Sequence, residues 1–145
     1  MTTDVLVFDT SPLNHFARAG ELGTLRNLVK GFACVTTRAV IDELRKGAER
    51  HAEIGDALDL EWIEVVTCDG LDELYKFSEY MNRLGNVQRH AGEATVLAWA
   101  EKHSAAAYVD DQVACNVGRN RGVQVHRTLQ LVISEAFRVT GAHGV

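Results

Sequence analysis

Proline is nearly absent from this chain, with Pro12 alone among 145 residues, and no polar tract or low-complexity segment is found. With 46% hydrophobic and 24% charged residues, that composition excludes a disordered protein and predicts a well-buried core. Cysteine is scarce too. Cys34, Cys68 and Cys115 are odd in number, widely spaced and without a CxxC pair, so neither a zinc knuckle nor a disulfide framework is suggested, and buried free thiols are expected. Long apolar runs are missing. The stretches at Val5 to Phe8 and Leu129 to Ile133 are far too short to span a bilayer, and Met1-Thr-Thr-Asp lacks the basic flank of a signal peptide. The expected location is therefore the cytoplasm, with no membrane association. Positive charge is in short supply: 15 Lys and Arg face 20 Asp and Glu, a formal net charge of -5. That balance argues against wrapping nucleic acid by overall electrostatics. It leaves phosphate chemistry open, because metal ions supply the cationic charge that phosphate requires and acidic sites hold them. Aromatic residues make up 7% and do not interleave with basic ones, so no base-stacking surface is indicated.

What is present is a regular alternation of short apolar runs and amphipathic stretches. Val5-Leu-Val-Phe8 reads as a buried parallel strand, leaving through Asp9-Thr-Ser-Pro-Leu13 into a helix that Thr10 or Ser11 caps, with Pro12 in its first turn. Further helices are predicted over 21–29, 37–46 (ending at Gly47), 48–60, 71–84, 92–103, 112–120 and 128–139, and further strands at 32–35, 62–66, 105–109 and 123–125. Without an Asn-Gly type hairpin signal, strands alternating with helices imply a parallel sheet covered on both faces. The expected architecture is an α/β, three-layer α/β/α sandwich with about five strands in its central parallel sheet. At this length one domain over residues 1–145 is expected.

In an open parallel sheet, ligands bind at the carboxyl ends of the strands, so acids placed there carry more weight than acids elsewhere. Asp9 follows the first strand, and Asp110 and Asp111 follow the fourth. If those strands are neighbours, the three carboxylates share one cleft. Glu43 in Val40-Ile-Asp-Glu-Leu44 and Glu93 in Ala91-Gly-Glu-Ala-Thr-Val-Leu97 lie on helices among apolar residues, where a carboxylate is costly unless it meets a cation. Ligation by carboxylates alone selects Mg2+ or Mn2+, which keep waters and bind phosphate oxygens. Such ions turn a bound water into a usable nucleophile, so phosphodiester hydrolysis is the implied reaction.

Each acid also has a plainer reading. Asp9 and Asp110 can be helix N-terminal acids favoured by the dipole, Glu93 a first-turn capping acid, and Glu43 a surface acid paired with Arg45 or Lys46. Asp42 is the better candidate for that solvated acid. His15, His51, His90, His103, His126 and His143 show no paired metal-ligand spacing, which makes most of them structural or surface residues. Arg83, Arg89, Arg119, Arg121 and Arg127 form either an RNA path around the acids or a solvated face.

Four segments in this order, Val7-Phe-Asp-Thr-Ser-Pro-Leu13, Ala39-Val-Ile-Asp-Glu-Leu44, Ala91-Gly-Glu-Ala-Thr-Val-Leu97 and Tyr108-Val-Asp-Asp111, resemble the PIN-domain family, close to the VapC-like toxin ribonucleases. The resemblance covers nearly the whole chain. It implies a Mg2+- or Mn2+-dependent endoribonuclease acting on RNA. Asp9, Glu43, Glu93, Asp111 and Asp110 would be catalytic, and all of these but Glu43 would ligate metal, with Asp111 favoured over Asp110 by motif spacing. Thr10 or Ser11 would support the site through a hydroxyl. Where such sequences often carry one more acid ahead of the Gly-Glu-Ala segment, this chain has His90 and Ala91. The resemblance also implies the toxin of a type II toxin–antitoxin pair, with a cognate antitoxin as partner. A homodimer is expected from the amphipathic surplus at 71–84 and 129–137. The competing expectations are a PIN nuclease of housekeeping RNA processing and a catalytically silent α/β interaction module.

Overall fold

The computed structural model describes residues 4–85 and 87–133. Five strands, β1 (Val5–Phe8), β2 (Ala33–Thr37), β3 (Ile63–Val66), β4 (Ala106–Tyr108) and β5 (Gln124–His126), form one sheet in the order β3-β2-β1-β4-β5. Every pairing is parallel. The strands are connected by α1 (Thr10–Arg18), α2 (Leu22–Leu28), α3 (Arg38–Ala48), α4 (Leu71–Leu84), α5 (Val87–His103) and α6 (Gln112–Asn120). This is the α/β architecture that the sequence predicts, a parallel central sheet flanked by helices.

The connections explain where a site can form. From β1 the chain moves outward to β2 and β3, then returns past β1 to lay down β4 and β5 on its other side. The winding therefore reverses between β1 and β4, and at such a reversal the two exit loops diverge and open a crevice at the carboxyl edge. Register fixes which residues line it: Phe8 pairs with Thr36 on one side and Tyr108 on the other, so Asp9 leaves the sheet at its central position. The backbone N–H of Asp9 still donates to the Tyr108 carbonyl at 3.1 Å.

Burial follows the predicted pattern. Val7, Phe8, Leu13, Leu25, Val40, Val96, Leu97 and Val109 are fully inaccessible, as expected for a central strand and the apolar stripes of covering helices. Cys34 and Cys115 are buried free thiols and Cys68 is half-buried. Gly85 ends α4 with φ +89°, a conformation open to glycine at little cost. No helix among the described residues is long and apolar enough to cross a membrane.

Four local expectations are corrected. The 48–60 stretch is not an α-helix; only a 3-10 segment forms at Ala52–Ala57, since Gly55 and the acids around it leave little to hold a longer one. Gly47 does not stop α3, which continues to Ala48; with no strain at Gly47 the helix runs on past it. Neither Thr10 nor Ser11 caps α1: Asp9 occupies the N-cap position and its side chain makes no cap hydrogen bond. Helix α5 begins at Val87 rather than at residue 92. At the far end, residues 128–133 are helical and the rest of the predicted 128–139 helix, with Phe137, lies outside the described residues.

Candidate active site

The sequence-predicted acids meet at the crevice between β1 and β4. Asp9, Thr10, Ser11, Glu43, Arg89, Glu93, Asp110 and Asp111 line one open cavity of about 450 Å3. Asp9 arrives from β1 with extended backbone and is 4% exposed, and its Oδ1 has no hydrogen-bond partner. Thr10, freed from capping, donates its hydroxyl to Glu43 Oε2 at 2.5 Å. It thereby supports the site by orienting an acid that lies 33 residues further along the chain.

Glu43 reaches the cavity because α3 starts directly after β2, capped by Thr37, whose Oγ1 accepts from the Val40 N–H at 3.3 Å. Val40, Ile41 and Leu44 turn inward, which carries Glu43 to the edge of the core while Asp42 stays outside with Arg45 at 3.3 Å. The solvated acid is thus Asp42, as the apolar pattern predicts. Helix α5 passes close by. A Cβ at Gly92 would run into the Glu43 carboxylate, so glycine there is what lets the two helices share the site. The Gly92 carbonyl is in turn bound by the Thr95 hydroxyl at 2.6 Å. Glu93 follows with its side chain 12% exposed and Oε1 3.0 Å from His90 Nδ1, while Oε2 is buried without a partner. Since α5 starts at Val87, Glu93 stands beyond the first turn and the capping reading falls.

The adjacent aspartates are used differently. Both oxygens of Asp110 accept bonds from Thr128, one from its N–H and one from its hydroxyl, each at 2.8 Å. The Asp110 carbonyl accepts from Arg127 at 2.7 Å. Asp110 thus ties the exit of β4 to the helical turn at 128–133. Asp111 spends Oδ1 on the Ala114 N–H at 3.0 Å, capping α6, and turns Oδ2 toward Arg89, 4.0 Å away. His90, Glu93 and Asp111 each offer one ligand atom within 4.8 Å of the others.

Electrostatics mark the cavity. Desolvation pushes the Asp9 carboxyl well above the ordinary carboxylate range; the Thr10 backbone N–H opposes this, and Glu93, Glu43 and Asp110 add to it by repulsion. Glu93 is raised as well, first by burial and then by Asp111 and Glu43, against the lowering effect of His90. Buried carboxylate oxygens without donors are expensive to keep. Two of them, on residues that line one carboxylate-rich cavity, fit a hard divalent cation, which would complete their coordination and relieve their repulsion.

Of the two readings of the five arginines, a path around the acids does not form as a unit. Arg83 donates to Asn120, Arg119 to the Val125 carbonyl, Arg121 to Glu101 and Glu79, and Arg127 to the Asp110 carbonyl. These bonds hold the fold together; among the five, Arg89 is the one that lines the acid cavity. The sequence reads Gly92 and Thr128 as helix starts and gives neither a part in the site; the apolar residues around Gly92 do not reveal that α3 packs there, and nothing local to Thr128 points to Asp110.

A family model described as PIN domain matches residues 5–138 of this chain. No curated protein matches it in sequence. Among solved structures, it is similar to VapBC2 from Rickettsia felis, determined bound to a DNA fragment from their promoter (TM-score 0.62, 12% identity, 85% of this chain and 98% of that one). It is also similar to a PilT N-terminus domain protein from the hyperthermophilic archaeon Sulfolobus solfataricus P2 (TM-score 0.59, 17% identity, 90% and 92% covered). A Pyrobaculum aerophilum protein aligns with TM-score 0.59 and 17% identity over 92% of this chain and 90% of that one. At these identities the structures speak for the fold alone, and the activity class rests on the family match, PIN domains being generally nucleases. By sequence match over most of its length, by its fold and by the acids gathered at its sheet reversal, the chain belongs to the PIN-domain family, a family of nucleases.

Proposed function

We propose that this chain is a Mg2+- or Mn2+-dependent endoribonuclease of the cytoplasm, the toxin of a type II toxin–antitoxin pair, restrained by a cognate antitoxin. The observation that carries the reading is the meeting of Asp9, Glu43, Glu93, Asp110 and Asp111 in one cavity with buried oxygens of Asp9 and Glu93 left without partners. Asp9, Glu93 and Asp111 would hold the cation, with Asp110 beside them as the clamp that sets the loop. The bound cation would supply Lewis-acid polarisation of the phosphate and a more acidic water.

The chain's own side chains do the rest. Glu43, steadied by the Thr10 hydroxyl, faces the cavity as the group that accepts the proton of the attacking water. Arg89, with its side chain 72% exposed at the cavity rim, binds the phosphate being cleaved. Ser11 lines the cavity next to Thr10 and offers a second hydroxyl to bound water or phosphate. The net charge of -5 leaves phosphate binding to these local groups rather than to the overall field.

The antitoxin partner is supported by the likeness to VapBC2, itself determined on promoter DNA. The homodimer is supported by Leu71, Leu74 and Tyr75 exposed on α4 and by Leu129, Val132 and Ile133 exposed near the end of the described chain. The deciding experiment incubates purified protein with total RNA in Mg2+, in Mn2+ and in EDTA, beside Glu43→Gln. Cleavage that needs metal and is lost in the variant is expected. Wild type that leaves RNA intact in both metals, or cuts equally well in EDTA, would refute the reading.

A further inference from the structure

We infer that His90, Glu93 and Asp111 form a mixed nitrogen and oxygen cation site in which His90 is a direct ligand, so that this chain favours Mn2+ over Mg2+. The inference rests on the metal-dependent reading above and goes beyond it, since the resemblance to the family gives carboxylate ligands alone. His90 is 7% exposed and stands three residues before Glu93 on α5, so the two side chains leave the same face of the helix. Its Nδ1 lies 3.0 Å from Glu93 Oε1. Cis donors on an octahedral ion with bonds of about 2.1 Å are separated by about 3.0 Å, so the pair is already spaced as neighbouring ligands. Asp111, with Oδ1 committed to capping α6, completes the group within 4.8 Å.

A second observation points to a ligand independently of this grouping. Asp9, 4% exposed, lines the same cavity as Glu93 and Asp111 and has a buried, unpartnered Oδ1, and Glu93 Oε2 is likewise buried and unpartnered. These oxygens lack donors, and the His90 imidazole, 3.0 Å from Glu93 Oε1, stands beside Glu93 as a ligand that is not a carboxylate. Mg2+ takes oxygen donors and gives up its waters reluctantly, whereas the first-row transition ions, a series that begins with Mn2+ as its weakest binder, accept nitrogen donors as well. An imidazole among the carboxylates thus changes the ion the site prefers. The competing role for His90 is positioning, in which its ring holds Glu93 by a hydrogen bond and never touches the metal.

Pulsed electron paramagnetic resonance on untagged, EDTA-stripped full chain loaded with Mn2+ alone separates the two. A directly bonded imidazole gives a 14N coupling to Mn2+, expected in wild type and lost in His90→Gln. In the same variant Mn2+ affinity should fall about tenfold or more while Mg2+ affinity changes far less. His90→Asp should reverse the preference toward Mg2+. If His90→Gln does not fold, wild type still decides: a nitrogen coupling whose pattern changes when histidine alone is 15N-labelled shows a bonded imidazole, and among the described residues His90 is the histidine grouped with Glu93 and Asp111. Mn2+ bound without nitrogen coupling overturns the assignment of His90 and leaves the metal-dependent nuclease standing. No binding of either ion overturns both.

Discussion

Glu93 and Glu101 stand on the same helix, eight residues apart, and their side chains are similarly shielded at 12% and 19% exposure. Their surroundings differ. Glu101 accepts from Tyr80 at 2.8 Å and from Arg121 at 2.8 and 3.0 Å, with Lys76 3.7 Å away, and Arg121 also lies over the Tyr80 ring. Burial pushes the Glu101 carboxyl up, yet Arg121, Tyr80 and Lys76 outweigh it and hold the group below its ordinary value. Glu93 has His90 and an oxygen with no partner, and burial wins. A carboxylate whose donors are all supplied by the fold is a structural tie, while one left short of donors in a cavity is set aside for something that arrives later. Cavity size does not make this distinction. The space beside Glu101 and Arg121, at the opposite end of the sheet, is the larger at about 600 Å3, against about 450 Å3 at the acids.

The largest expected effect that tests this contrast is on catalysis. Asp9→Asn, Glu43→Gln and Glu93→Gln should each lower RNA cleavage by at least on the order of 100-fold with unchanged circular dichroism, because outer-shell changes alone cost about 10- to 100-fold. Asp42→Asn, on the solvated side of α3, should stay within about twofold in the same gel assay, and equal damage from it would break the assignment of the inward acid. The converse holds at the other end of the sheet. Arg121→Ala leaves Glu101 without its main donor and Tyr80 without the guanidinium over its ring, so unfolding should become easier by about 3 kcal/mol, with cleavage at low temperature retained. Denaturant titration reads the first and the gel assay the second.

A smaller effect concerns the cost of the unpaired cluster. The folded-state pKa of Asp9 is raised, so the folded apo protein holds that proton more tightly than the unfolded chain does, and stability is lost as the pH rises through the folded value. At neutral pH the apo protein therefore carries a penalty that Asp9→Asn removes. The variant should melt higher than wild type in EDTA at pH 7, and the gap should close as the pH falls toward the ordinary carboxylate range. Mn2+ at a hundredfold its dissociation constant adds about 2.7 kcal/mol to wild type and should add less to the variant. A lower apo melting temperature for Asp9→Asn at pH 7, with the same response to metal, would mean that Asp9 is a structural helix-end acid.

The smallest change sharpens the comparison most. Gly92→Ala places a methyl against the end of the Glu43 side chain, which can swing aside, whereas alanine favours the helix by roughly 0.5–1 kcal/mol. Stability should therefore hold within about 1 kcal/mol while cleavage falls by about tenfold or more, a loss of alignment rather than of fold. Full activity in a folded Gly92→Ala protein would show that Glu43 need not lie against α5.

Much of this arrangement was legible in the chain itself. The run Val5 to Phe8 followed at once by Asp9, and the Ala107-Tyr-Val-Asp-Asp111 segment, announce strands that end in acids, and the 71–84 and 112–120 helices fall where their apolar spacing puts them. Local pattern suffices there because burial of a strand or of one helix face depends on neighbours in sequence. Asp42 and Glu43 are sorted in the same way, by the apolar positions around them. Other features depend on groups far apart in the chain. How Asp110 and Asp111 are held is decided by Thr128, which binds both oxygens of the first, and by the α6 N-terminus, which takes one oxygen of the second. Thr10 looks like a cap until the fold brings Glu43 within reach of its hydroxyl, and Gly92 looks like a helix start until α3 is laid against α5. The sequence by itself determined the alternating α/β order and which carboxylates stand at strand ends and helix edges. Only the tertiary structure decided which oxygens are left without donors, because a hydrogen-bond partner is chosen by distance in space, and the chain sets that distance only once the sheet has reversed between β1 and β4.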